Sequence, residues 1–480
     1  MGTSEYDLVV VGSGFGGSVC AMRAAEAGMR VCVLERGPRL TPGLREEMAE
    51  GRRAILYERR GTGIVEKARV RGLMAVVGSA VGGGSQLYTA VTIPAADEAF
   101  AEGWPSGMSA AGMRPYYERV QEVIAPTVSP TELARTQALE AAGRTMGAGV
   151  TRLPVAIDWP ADAKAMHATP GPLPVRREAM TWLGGGTATR KRTLDKTYLA
   201  RAEAAGAEVR ELHEATGIAP REEGYAVQYS HYVDGTVREG AVAGRRVVLA
   251  AGTLGTVRLL FACRDVAKTL PRISGALGER FYTNGDFGGL IIGTREDVPR
   301  DSGPPVTAWV DWWKEDRLYV METGLLPALP RLFAKMLGLW SGAEKAAVWS
   351  FGVMGYGERP ARLVLDRGER LTHVGGGSAK DVFHVRTVAR MRELAAALGG
   401  KLILQPTGLA PPGRVTVHPL GAAAMADSPE RGVVDAYGEV FGHPGLYVAD
   451  GSILPTPIGR APSMTIAALA ERVAEEMANR

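Results

Sequence analysis

The chain has 480 residues, 46% of them hydrophobic and 22% charged, with a formal net charge of +4. That length suits two domains with a sizeable core. A charge excess this small, with no long like-charge run, argues against nucleic acid as a partner. The three cysteines (Cys20, Cys32, Cys263) have no metal-ligand spacing, and Cys20 and Cys32 read as core thiols. No apolar run approaches the ~20 residues that span a bilayer. The first predicted strand begins within the opening residues and leaves no room for a secretory leader, so a cytoplasmic protein is expected.

Leu8 to Val11 is an apolar run suited to a buried parallel strand. It enters Gly12-Ser13-Gly14-Phe15-Gly16-Gly17, which holds the spacing GxGxxG. Gly12 permits the tight turn, Gly14 lets a pyrophosphate approach the backbone, and Gly17 lets the next helix pack on the strand. A helix over about Ser18 to Ala27 would offer its N-terminal N–H groups to phosphate. Gly28 ends it, and a second buried strand, Val31 to Leu34, delivers Glu35 and Arg36. An acid at Glu35 suits ribose hydroxyls and disfavours the extra phosphate of NADP. These residues are the candidate dinucleotide contacts. The motif alone leaves NAD and FAD both open.

Further along, Gly82-Gly83-Gly84-Ser85 forms a second glycine block. Arg190-Lys191-Arg192 reads as a solvated loop, with a docking patch as the other reading. Glu208 to Glu214 and Arg245 to Ala251 read as strands, the latter followed by a Gly252–Gly255 turn into a helix. Val306 to Trp313 and Leu318 to Glu322 are strand-like. Leu332, Phe333, Met336, Leu337 and Trp340 share one helical face, either a packed helix or an apolar lid. The texture divides the chain into a discontinuous nucleotide domain (1–95, 195–275 and 415–480) and two inserted substrate-domain segments (96–194 and 276–414).

Four blocks, VVVGSGFGGSVCAMRAAEAG, AVGGGSQLYTAV, RRVVLAAGTLGT, and HPLGAAAM through APSMTIAALAER, together resemble the glucose–methanol–choline oxidoreductases, in their bacterial cholesterol oxidase-like branch. The resemblance implies an α/β architecture, a Rossmann-like FAD-binding domain with an inserted α+β substrate domain. It also implies FAD-dependent oxidation of a hydroxyl group on a hydrophobic substrate, with oxygen or another acceptor taking the electrons. Gly83, Gly84 and Ser85 would lie against the cofactor, as would Ala251 of the VVLAAG element. Asp450 would accept from a ribityl hydroxyl and Gly451 would approach the same chain. Pro462, Ser463 and Met464 would open a helix to Ala478 whose positive end faces the flavin.

His418, in HPLG, resembles in its context the family's active-site histidine, where a general base suits alcohol oxidation, and its other reading is a packed loop histidine. Some relatives attach FAD to a histidine near the second glycine block. This sequence has none between residues 50 and 100, so non-covalent FAD is expected. Where the family usually places Asn or His before the last helix's proline, this chain has Ala461. That departure keeps a flavin-bound lyase or isomerase open as an alternative. Arg460 reads either as a surface residue or as an electrostatic substitute. Glu322 reads either as a second catalytic base or as a solvated strand-end carboxylate.

Overall fold

The computed structural model describes residues 5–57, 63–159, 190–233, 235–294, 306–323, 348–357, 359–367, 370–378, 381–404 and 415–479. The apolar-faced segment 331–340 lies outside the described residues.

The opening run Tyr6–Val11 is a buried strand flanked in parallel by Val31–Leu34 and by the end of a long strand, Thr236–Leu249. Glu208–Arg210 extends this sheet on one side, and Leu446–Val448 pairs in parallel with Val247–Leu249. The chain therefore winds outward in both directions from Tyr6–Val11. A nucleotide binds at such a switch point, beyond the carboxyl ends of the strands. The sequence reading places one strand over Glu208 to Glu214. The structure divides it at Leu212, whose φ is 60°, and starts a second strand at His213. Thr236–Leu249 is longer than expected because its first half forms an antiparallel hairpin with Tyr225–Val233.

The first helix is Phe15–Glu26, starting one residue after Gly14 rather than at Ser18. A Cβ at Gly17 would lie 1.9 Å from the Gly12 carbonyl oxygen, and one at Gly16 would lie 1.7 Å from that of Ala449. The helix can seat itself only where side chains are absent. Its outer face packs on the C-terminal helix, Ser463–Asn479. Arg23 pairs there with Glu471 at 2.7 Å, and Tyr198 donates to the same buried carboxylate.

A second sheet is antiparallel, ordered Lys401–Leu404, Phe287–Ile292, Val348–Gly355, Leu318–Thr323, Ala308–Trp312 and Gly149–Arg152. Helices Ala134–Met146 and Val382–Ala397 cover one face, where Leu318 and Val320 join Leu139, Met391 and Leu394. Tyr319 and Met321 point to the other face and join the core of the nucleotide sheet. This alternation has period two, as a strand requires.

Glu322 therefore lies on the helix-covered face. It is buried, pairs with Arg135 at 3.1 Å, and accepts a hydrogen bond from Thr307. This corrects the solvated reading of Glu322, whose carboxyl is held on the helix-covered face of the sheet. Burial pushes its carboxyl up, and Arg135 pulls it down.

Lys191 also departs from expectation. It is fully buried, donating to the Gln86 and Tyr88 carbonyls at 2.9 and 3.2 Å, with its ammonium 5.7 Å from the Tyr88 ring centre. Arg190 alone of that cluster is exposed. Lys191 thus staples the segment after the second glycine block. Burial, with Arg45 and Lys196 nearby, brings its ammonium down to about 7.

Two predictions follow from these buried charges. Removing Arg135 leaves the Glu322 carboxylate without its cation, so Arg135→Ala should cost about 3–5 kcal/mol in denaturant unfolding. For Lys191, the unfolded chain binds more protons than the folded one between pH 7 and its ordinary pKa. Its contribution to stability should therefore rise with pH through that window. The melting temperature of wild type relative to Lys191→Met should rise from pH 7 to 9. A pH-independent difference would refute the assignment.

Candidate cofactor and active site

The two glycine blocks meet backbone to backbone. A Cβ at Gly83 would lie 2.6 Å from the Gly14 Cα, and Gly12 and Gly83 both have positive φ. Ser13 joins the blocks to the acid. Its N–H and hydroxyl donate to Glu35 at 3.0 and 2.7 Å, and its oxygen accepts from the Gly82 N–H at 3.0 Å. The other Glu35 oxygen accepts from Gly37 N–H at 2.9 Å. Glu35 thus stands buried at the end of its strand with its position fixed by backbone.

A dinucleotide needs open space above this platform. Cβ atoms built at Gly14, Gly84 and Gly252 would meet nothing within 4 Å, whereas those at Gly12, Gly16, Gly17 and Gly83 would collide with backbone. The first group opens onto a cradle and the second closes the protein on itself. The residues present therefore fit a bound dinucleotide. Two expected contacts are spent elsewhere. Arg36 pairs with Glu66 and lies over the Tyr57 ring. Ser85 holds its own turn, donating to Gly82 carbonyl and accepting from Leu194 N–H. Phe15 packs edge-on against Tyr88.

The far end of the cradle is built from the last third of the chain. Asp450 is buried directly after Leu446–Val448 and Ala449. It accepts from the Ser452 N–H and hydroxyl and from Thr256, and burial pushes its carboxyl up. Thr256 sits on the helix Thr253–Phe261, just after Ala251 and Gly252. Thr253 donates to the Pro419 carbonyl at 2.6 Å, and a Cβ at Gly451 would be 3.0 Å from the Thr253 hydroxyl. So Ala251, Asp450, Gly451 and the His418-Pro419 step are neighbours. Sequence reasoning missed Thr253 and Thr256, because a threonine in a helix start carries no signal of which distant loop it holds.

His418 is partly exposed and its Nδ1 lies 2.7 Å from an Asp286 oxygen. A carboxylate can only accept, so Nδ1 carries a proton, and in the neutral ring Nε2 then presents the lone pair. This leaves a base ready to take a proton. Asp286 was missed as well. Its only sequence signal is the Asn-Gly turn that precedes it.

Pro462 opens the C-terminal helix, and Ser463 and Met464 form its first turn with N–H groups that have no intrahelical acceptor. The Ser463 hydroxyl donates to Val91 carbonyl. Ala461 is buried and brings no polar atom. Arg460 is not the surface residue of the first sequence reading. Its guanidinium donates to the Tyr319 hydroxyl at 2.7 and 3.1 Å and to the Pro94 carbonyl, and it lies over the Trp309 and Tyr319 rings. Trp309, Tyr319 and Trp313 stack with centroids 4.0 and 5.2 Å apart, on the sheet face toward the nucleotide domain. Among the described residues, no group of three potential ligands could hold a metal ion, and no helix is long and apolar enough to cross a membrane.

Residues 7–385 match the family described as FAD dependent oxidoreductase, and residues 410–470 match that described as GMC oxidoreductase. The chain is 28% identical to a cholesterol oxidase of Mycobacterium tuberculosis, covering 99% of this chain and 92% of that protein. It is 29% identical to a cholesterol oxidase of Acinetobacter baumannii, covering 98% and 93%. A long-chain-alcohol oxidase of Arabidopsis thaliana is 24% identical, covering 99% and 67%. The crystal structure of pyridoxine 4-oxidase from Mesorbium loti has the same fold, with a TM-score of 0.68 at 16% identity over 98% of both chains. The chain belongs to the FAD dependent oxidoreductases, with a C-terminal segment that matches the GMC oxidoreductases, and is an FAD-dependent alcohol oxidase or dehydrogenase.

Proposed function

We propose that this enzyme oxidises a hydroxyl group on a hydrophobic, sterol-, polycyclic- or polyketide-like molecule, with non-covalent FAD and with His418 as general base. The observation that carries the reading is the His418–Asp286 contact, which leaves Nε2 as an acceptor beside the Asp450-Gly451 end of the cradle. Bound FAD supplies the acceptor for the hydride that leaves the carbinol carbon. His418 Nε2 takes the hydroxyl proton, and Asp286 offsets the positive charge that then forms on the ring.

The remaining roles are binding. Gly12, Ser13, Gly14, Phe15, Gly16 and Gly17 would hold the pyrophosphate with the first helix's N-terminus, and Glu35 the ribose. Gly83, Gly84, Ala251, Asp450 and Gly451 would line the ribityl and ring portion. The free N–H groups at Ser463 and Met464 would present a positive helix end to an electron-rich ring edge. Arg36 and Ser85 serve as braces. Relatives named for cholesterol and long-chain alcohols support an apolar substrate. Those relatives are oxidases, which supports oxygen as acceptor. We infer the domain division from the sheets: 1–95, 195–275 and 415–480 around FAD, with 96–194 and 276–414 around the substrate.

An anaerobic screen of sterols and long-chain alcohols, followed by flavin absorbance, tests the reading. Bleaching supports oxidation. Product formed without bleaching would identify the lyase or isomerase alternative that Ala461 leaves room for. In the same assay His418→Ala should slow flavin reduction by about 10²–10⁴-fold with FAD retained. Unchanged reduction would remove His418 from the chemistry. Gly14→Ala places a methyl in the open cradle, so FAD affinity should fall roughly tenfold or more, equivalent to at least about 1.4 kcal/mol. The apoprotein's melting temperature should stay within a degree or two. A large loss of apoprotein stability would mean that the space at Gly14 is not ligand space.

A further inference from the structure

We propose that the turn Thr283–Asp286 is a bracket that sets the gap between His418 and the entry of the C-terminal helix. Asp286 and Asn284 are its two positioning residues. The inference rests on the assignment of His418 as the base.

One arm is Asp286. One oxygen takes the His418 Nδ1–H at 2.7 Å. The other accepts from the N–H groups of Val417 and His418, at 2.8 and 3.0 Å, and from the Thr416 hydroxyl at 2.8 Å. A single carboxylate thus fixes both the ring and the backbone that carries it. The other arm is Asn284, which is fully buried. Its oxygen accepts from Ile458 and Gly459 N–H at 3.1 and 2.9 Å, and its amide donates to the Arg460 carbonyl at 2.8 Å. These are the residues that lead into Ala461 and Pro462.

The turn between the arms is stiff. Asn284 and Gly285 both have positive φ, 59° and 69°, a combination that Asn tolerates and Gly prefers. A Cβ at Gly285 would meet Gly355 backbone at 2.7 Å. Gly355 N–H also donates to the Asn284 carbonyl, and Asp286 N–H closes on the Thr283 carbonyl, each at 3.1 Å. Two side chains only two positions apart thus fasten two loops that are distant in sequence. The bracket gives the missing polar partner at Ala461 a physical context, since the base is held by a rigid span instead of by a second group across the substrate.

The chemistry also separates Asp from Asn at position 286. An amide can turn an N–H toward Nδ1, which moves the ring proton to Nε2 and silences the base. The same loss of the correct tautomer explains the cost of such a change in catalytic triads.

The test uses the FAD-loaded enzyme labelled with ¹⁵N-histidine, with the His418 signals assigned by comparison with His418→Gln. The wild-type ring should show a proton on Nδ1 and a bare Nε2. A wild-type ring protonated on Nε2 alone would overturn the proposal without any bracket variant. In Asp286→Asn the proton should move to Nε2, and flavin reduction by cholesterol or 1-dodecanol should slow by about 10²–10⁴-fold with KM within a few-fold. Asp286→Glu should restore the wild-type tautomer and part of the rate. Asn284→Asp cannot donate to Arg460 and should raise KM about tenfold with the tautomer unchanged. An unmoved tautomer and rate in Asp286→Asn overturn the bracket. An unchanged rate in His418→Ala, with the tautomer shift still present, would overturn the base assignment instead.

Discussion

The architecture depends on backbone meeting backbone. Gly12 against Ala250, Gly16 against Ala449, Gly17 against Gly12 and Gly83 against Gly14 are contacts that a single methyl group would prevent. Through them four segments from the beginning, middle and end of the chain converge on one platform. Hydrophobic burial supplies most of the driving force for the two sheets. The glycine contacts decide how closely the layers approach, and so whether a dinucleotide-sized cradle remains. Above the platform the rule reverses, and Gly14, Gly84 and Gly252 face open space.

Much of this was legible in the sequence because it is local. The strand, turn, helix and acid of residues 6–35 follow from periodicity and glycine spacing, and the structure reproduces them within a few residues. The HPLG and DGS segments stood out through their resemblance to a family, and the fold brings both to the same end of the cradle.

The residues that reading missed, or read wrongly, fail for tertiary reasons. Asp286 lies 132 positions before His418, and nothing local marks an aspartate as the partner of a particular imidazole. Glu322 sits in the strand expected, but strand alternation turns it toward Arg135 instead of the nucleotide domain. Lys191 belongs to a basic triplet that looks solvated, and only packing reveals that its ammonium ends on two carbonyls. Arg460 alternates as an extended segment should, yet the aromatic sheet face it meets comes from residues more than a hundred positions earlier. Local pattern sets the elements, and the face each one buries is decided only when the sheets dock.

The pairing of the first helix with the last has a consequence for biosynthesis. Phe15–Glu26 leaves the ribosome well before Ser463–Asn479, which covers its outer face and supplies Glu471 to Arg23. Leu446–Val448 and the Ala449 carbonyl against Gly16 also arrive late. A nascent chain short of these residues holds the dinucleotide motif with its helix half-covered. All strands of the antiparallel sheet lie between residues 149 and 404, so that sheet can close first. The unit begun earliest is thus sealed latest, through contacts of high sequence separation, a kind that forms slowly in general.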